Sequence, residues 1–510
     1  MLNTNVRSSI APVRRLRRRT DDIYPVEVET PPPRQKQMRR DRRLREVMGR
    51  NTSCPDSALG GQLLACARHP AVWLALALIA NVLEGALRKW VPGFESGPGR
   101  IIAYFGKDLL LGLGVILVLS RRARHAPALV IASSWGGIAL ILVLFGGLVS
   151  LLQGFNAVGA LLSLRALVVL PFFAFVYVSR VGRFPLVGFA VVAIFLAAIN
   201  APLALVQSGL PASHVLNKYA TDELAVVAVE AGVRAAGTFA YLAGLGCAAV
   251  LGAWGGMVLL SLGREWRLRA LGGFGLLVGF ACGFSSGSRT DLVTLSAMLG
   301  MWAFSSVRAT RVLWKSLWLV GMLSVAGLLV FPSLSERFVI MGNGVVDRFT
   351  IAGDSNAYRA FGQWEELWYA VTTDPLGTGL GTEQVGGNYA ATGISGFTTY
   401  ENQFPRIVAE FGVIGFLGFL VLVGATFFAL QGTRGDRRFW RWNLVVTATQ
   451  VTLLGQFYKN LTFNHTASAL VWLLATAVLA AAPVVKARPP GSRRRAGRRP
   501  LSRAATPGEF

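Results

Sequence analysis

Apolar runs about as long as a bilayer is thick alternate with short polar breaks from residue 70 to residue 485. A membrane-crossing helix needs roughly 20 apolar residues. The pattern predicts about twelve such helices, near 70–87, 101–120, 127–150, 158–179, 185–207, 239–262, 269–284, 290–307, 312–331, 406–430, 443–460 and 466–485. The expected fold class is therefore an all-α polytopic membrane protein. One polar stretch interrupts the series, residues 332–405, from PSLSERF to YENQFPR. Only closed, hydrogen-bonded segments survive in hydrocarbon, so this stretch is expected to lie outside it as one large loop. Within it YRAFGQWEELWYAV places Phe361, Trp364, Trp368 and Val371 at helical spacing, which predicts an amphipathic helix lying on the membrane surface. The DPLGTGLGTEQVGG segment that follows has no basic residue or helix start after its glycines, and it reads as a flexible crossing rather than a phosphate loop.

Composition agrees with the pattern. The 510 residues are 53% hydrophobic and 15% charged, whereas soluble domains carry about a quarter charged residues. The formal charge of +25 lies mostly in the tails: residues 1–50 hold 14 Lys/Arg against 6 acids, and residues 486–510 hold 8 against 1. Rich in Pro and Arg and poor in aromatics, residues 1–65 and 486–510 are expected to be disordered cytoplasmic tails flanking a transmembrane domain over 66–485. Their expected partner is anionic lipid, not nucleic acid.

Charge also orients the bundle. RRAR (Arg121 to Arg124), RVGR (Arg180 to Arg183), REWRLR (Arg264 to Arg269), RATR (Arg308 to Arg311) and RGDRRFWR (Arg434 to Arg441) all fall on one side of the predicted spans. The positive-inside rule puts that side in the cytoplasm, with both termini there and the 332–405 loop outside. No Walker motif, metal-ligand spacing or extracytoplasmic cysteine pair is present, so neither a metal nor another cofactor is expected.

Ionisable groups inside spans mark function or a paired structural role. Here they are Glu84, Lys107, Asp108, Arg165 and Arg289; Arg234 precedes a span, and Arg337, Arg348, Arg359 and Arg406 lie in or beside the large loop. Guanidinium forks suit phosphate, so arginines gathered at the outer face point to a polyanion at headgroup level, such as a lipid-linked diphosphate. Each could instead snorkel or pair with a nearby acid. Glu401 and Asn402 stand where the loop enters a span, and two roles stay open for the carboxylate: handling a hydroxyl proton, or complementing a helix dipole.

Several pieces carry a resemblance: EGALRKWVP (Glu84 to Pro92), FGKD (Phe105 to Asp108), GVRAAGTF (Gly232 to Phe239), GSRTDL (Gly287 to Leu292), YRAFGQW, and ENQFPRIVAEFGVIG with Glu410, Gly412 and Gly415. In order and spacing the chain resembles the O-antigen ligase and Wzy-type polysaccharide polymerase superfamily of bacterial inner-membrane glycosyltransferases. The resemblance implies an undecaprenyl-diphosphate-linked oligosaccharide as donor and a glycan acceptor. It implies transfer without a metal and with inversion, in surface polysaccharide assembly. Arg289 and Arg359 would act on the departing diphosphate and Glu401 on the acceptor, with Arg165, Arg234, Arg348 and Asn402 binding substrate. Ligases of the family typically carry His-Asn where this chain has Glu401-Asn402; His465, in NLTFNHT, is the one histidine placed to substitute. Polymerase and ligase remain open, and a flippase for a lipid-linked glycan is the alternative outside enzymes.

Overall fold

The computed structural model describes residues 70–95, 97–119, 144–152, 157–165, 170–180, 184–219, 227–228, 232–240, 242–305, 322, 364–382, 403–435, 439–459 and 465–482. Thirteen helices are numbered here in chain order: α1 Pro70–Trp90, α2 Gly97–Leu119, α3 over 144–152, α4 Ala157–Leu164, α5 Leu170–Arg180, α6 Leu186–Ser208, α7 Leu242–Leu262, α8 Trp266–Ser286, α9 Arg289–Phe304, α10 over 364–373, α11 Gln403–Gly432, α12 Trp440–Lys459 and α13 His465–Ala481. A two-residue ladder, Val227–Ala228 with Gly232–Val233, is the one β element among the described residues. The chain is an all-α polytopic membrane protein. Among the described residues six helices, α1, α2, α6, α7, α8 and α11, are long and apolar enough to cross a bilayer, and α13 is a shorter apolar helix. Eleven of the predicted spans fall wholly or partly on described helices, while 312–331 lies almost wholly outside the described residues, as do the two tails.

The core follows from residue size. Helix α7, LAGLGCAAVLGAWGGMVLLSL, is apolar on every face, as a helix surrounded by others should be. Leu245, Ala248, Ala249, Val250, Leu251, Ala253, Trp254 and Met257 are all buried there. Its small residues let α8 come close: a Cβ on Gly256 would stand 2.6 Å from the Gly272 carbonyl oxygen, and one on Gly272 2.9 Å from that of Gly256. Between lipid-facing helices such small-residue seams provide the packing that apolarity alone cannot, because lipid tails are as apolar as leucine. The polar end of Trp254 is satisfied by Thr449 on α12 at 2.9 Å.

The up-and-down connections leave one end of the bundle shared by Trp90, Gly97, Ser208, Leu242, Ser286, Arg289, Gln403, Lys459 and His465. Cross-links verify this alignment. Lys89 and Gln207 both reach Gly237, and Gln403 Nε2 donates to the Phe457 carbonyl, whereas Asn81 Nδ2, donating to the Thr466 carbonyl at 3.1 Å, sets the start of α13 opposite the middle of α1.

Candidate active site

The segment Gly232 to Phe239 is seated on this end by hydrogen bonds at Gly237 and Thr238. Lys89 Nζ donates to the Gly237 carbonyl at 2.7 Å, and the Gly237 N–H donates to Gln207 Oε1 at 2.7 Å. Thr238 gives its N–H to Asn200 Oδ1 at 2.8 Å and its hydroxyl to the Val82 carbonyl at 2.8 Å. Gly237 supplies the left-handed backbone (φ 61°) that turns the chain here. On α1 Gly85 leaves the segment room, since a Cβ there would stand 2.0 Å from the Ala240 nitrogen. So the EGALRKW and GVRAAGTF pieces, some 150 residues apart in sequence, form one contact.

That seat positions Arg234 against the turn between α8 and α9. Arg234 Nε donates to the Ser286 carbonyl at 3.2 Å, and the Ala235 N–H donates to that of Ser285 at 3.3 Å. Gly287 (φ 61°) ends α8 in the left-handed conformation, and α9 starts at Arg289. Arg234 and Arg289 are both half-buried, and the Ser286 carbonyl that Arg234 grips lies three residues before Arg289. Two residues further on, in the first turn of α9, Asp291 is fully buried. It accepts from Lys459 Nζ at 2.6 Å and from Gln456 Nε2 at 3.0 Å, both on α12; Lys459 Nζ also donates to Ser288 Oγ at 2.7 Å. Gly246 on α7 closes over the pair, since a Cβ there would stand 1.8 Å from Asp291 Oδ2.

Arg165 belongs to a second network. Its guanidinium pairs with Asp108 at 2.5 Å, donates to the Tyr104 carbonyl at 2.8 Å, and lies 4.3 Å and 4.5 Å from the ring centroids of Tyr104 and Phe105. Beside it Glu84 bridges Arg88 at 3.0 Å and Lys107 at 2.5 Å. All but Asp108 are nearly inaccessible. The network joins the ends of the EGALRKW and FGKD pieces. Three cations against two carboxylates leave it formally one positive charge in excess. Nε and Nη1 of Arg165 find no hydrogen-bond partner among the described residues.

The glycine-rich segment departs from the expected flexible crossing. Gly377, Gly379 and Gly381 all have φ between 80° and 105°, and the loop is packed on both sides. Leu380 N donates to Ser150 Oγ on α3 at 2.7 Å, and Gly381 N to Glu410 Oε1 at 2.5 Å. Thr378 Oγ1 donates to the Ala409 carbonyl at 2.8 Å, and Val413 N to that of Pro375 at 2.9 Å. The loop thereby fills a break in α11, where Gly412 leaves helical geometry (φ 69°, ψ 179°). The glycines serve close approach: a Cβ on Gly381 would stand 2.2 Å from the Ala160 nitrogen.

Preceding that loop, α10 buries Ala370 with Leu367 and Val371 against Val408 and Ala409, and turns Trp364, Trp368 and Tyr369 outward. The amphipathic helix is present, but Val371 lies on the packed face, not with the two tryptophans. Trp364 still touches Phe404, with ring centroids 6.0 Å apart.

Of the predicted site residues, the fold sets Arg234 against the turn that leads into Arg289 and gives Arg165 a separate ion-pair network. Glu401, Asn402, Arg359 and Arg348 lie outside the described residues; Gln403, the next residue after the pair, opens α11 against α12. Sequence reasoning passed over Lys459, Gln456 and Asp291. A signal was there: Lys459 is the one charge in the last four turns of α12, and Asp291 lies within GSRTDL.

A search of curated proteins finds no match to the chain. Residues 273–420 match the family model described as O-antigen ligase, a stretch running from α8 through the Arg289 turn and α10 to the break in α11. Over that segment the chain is similar to the O-antigen ligase family.

Proposed function

We propose that this protein transfers glycan repeat units from undecaprenyl diphosphate on the extracytoplasmic face of the bacterial inner membrane, either polymerising them or ligating them to an acceptor. The observation that carries the reading is the turn Ser285 to Arg289, within the O-antigen ligase segment, against which Arg234 is held by its contact with the Ser286 carbonyl. Two guanidinium groups at a membrane-embedded helix end suit a diphosphate headgroup whose lipid tail stays in the bilayer.

In the proposed step the acceptor hydroxyl oxygen attacks the anomeric carbon as the bond from that carbon to the diphosphate oxygen breaks. The diphosphate leaves with the bonding electrons, and the configuration inverts. Arg289 and Arg359 stabilise the charge that grows on the leaving group, and only the strengthening of those contacts during departure speeds the reaction. Arg234, Arg348 and Asn402 complete binding, while Arg165 is committed to its ion pair with Asp108. Glu401 orients the hydroxyl or takes its proton. Sugar carbon chemistry of this kind asks nothing of a metal.

A transport reading draws on the break in α11, because discontinuous helices also build transporter sites. One reconstitution separates the two. Purified protein in liposomes, supplied with lipid-linked repeat unit, is expected to release undecaprenyl diphosphate and form new glycosidic bonds. A ladder of products identifies a polymerase and a single transfer a ligase; relocation of intact donor without bond formation would overturn the enzyme reading.

A further inference from the structure

We infer that Lys459 is a positioning residue for the proposed transfer: bridging Asp291 and Ser288, it fixes the turn that spaces the guanidinium groups of Arg234 and Arg289. The inference rests on the diphosphate reading above and adds a residue from a different helix to it.

A lysine that merely neutralised Asp291 would need one contact. Lys459 makes two, 2.6 Å to the carboxylate and 2.7 Å to the Ser288 hydroxyl, and Ser288 is the residue immediately before Arg289. The carboxylate has a second donor in Gln456 at 3.0 Å and is sealed by Gly246, so neither oxygen can swing away from α12. Ser288 N in turn donates to Ser286 Oγ at 3.2 Å, and the Ser286 carbonyl holds Arg234. A continuous chain of polar contacts therefore runs from α12 through Lys459, Ser288 and Ser286 to Arg234, and its Ser288 link is joined directly to Arg289 in the chain. Two arginines bind a diphosphate together only if their spacing is held, and each ångström of drift forfeits the bidentate geometry. A buried ion pair is a poor source of stability but a good source of a single conformation, which is the property required here.

Three variants of the full chain in nanodiscs test this, with donor turnover as one readout and amide hydrogen exchange of residues 289–295 as the other. Ser288→Ala cuts the link to the turn and leaves the ion pair, so it is expected to fold normally and raise KM for the lipid-linked donor several-fold with little change in kcat. Lys459→Gln is expected to raise KM further, about tenfold or more as for loss of a charge-assisted contact, and to speed exchange at the start of α9, with Lys459→Arg recovering most of both. In an Arg289→Ala background neither Ser288→Ala nor Lys459→Gln should add to the defect. Unchanged KM in Ser288→Ala and Lys459→Gln, or losses that add fully to that of Arg289→Ala, would overturn the positioning role. Arg289→Ala with intact turnover strikes the diphosphate reading alone; the exchange data then still decide whether Lys459 holds the turn.

Discussion

Gly246 shows how little freedom the buried charges have. The α7 backbone passes so close to Asp291 that a methyl group would overlap its carboxylate and stand 3.1 Å from Lys459 Nζ. Gly246→Ala is expected to push the pair apart and lower the thermal midpoint of detergent-solubilised protein, measured by fluorescence-detected size exclusion. Asp291→Ala is the harsher change: it leaves the Lys459 ammonium, with a side chain 18% exposed, without its carboxylate. Breaking a buried pair in this way costs about 3–5 kcal/mol. Asp291→Asn keeps shape and the Gln456 contact and should lie between wild type and Asp291→Ala. If all three variants melted with the wild type, the pair would have no structural weight. For Arg289 the expected outcome is functional: Arg289→Ala folds normally and loses most polymer or transferred glycan in the native host, read on a gel. Single letters were informative where charge met an apolar background, as with Arg165 and Arg289. They were silent on Lys459, because a lysine at a helix end reads as an ordinary interfacial cation until its partner on another helix is visible.

Helices were the most legible elements. Their apolar runs predicted 269–284 and 290–307 where α8 and α9 span Trp266–Ser286 and Arg289–Phe304, because solvent or headgroup at each end demands the same polar break that the chain displays. The loop over 375–382 was misread because glycine-rich composition has two opposite causes, freedom and close approach, and only neighbours distinguish them. Here the neighbours are Ser150, Gly159, Ala160 and Glu410. Gly412→Ala tests that distinction: a left-handed backbone costs an ordinary residue about 1–2 kcal/mol, and its Cβ would also stand 2.7 Å from the Leu376 carbonyl carbon. The variant should show reduced yield of monodisperse protein, whereas a flexible loop would tolerate it. On α10, Trp364 and Trp368 are 55% and 69% exposed on a helix whose other face is packed. Aromatic residues of that kind favour the headgroup region. Replacing both by serine is expected to weaken quenching of the protein's tryptophan emission by headgroup-level brominated lipid.

For the molecule as a unit, the outstanding physical question is direction. From arginine asymmetry the Arg289 end of the bundle is expected on the extracytoplasmic side, so alkaline phosphatase fused after Thr382 should be active while a fusion after Arg434 is not. The reverse result would put the arginines on the wrong side for a donor displayed outside. Local chemistry alone determined that the chain spans a membrane, roughly where it turns, and which charges are out of place, since hydropathy and the cost of an ion in hydrocarbon act on short segments regardless of context. Only tertiary structure decided which of those charges meet. It put Arg165 with Asp108 and Tyr104, Arg234 with the turn before Arg289, and Lys459 with Asp291, because such pairings depend on which helix faces stand opposite one another, and that is a property of packing between segments 52 to 168 residues apart.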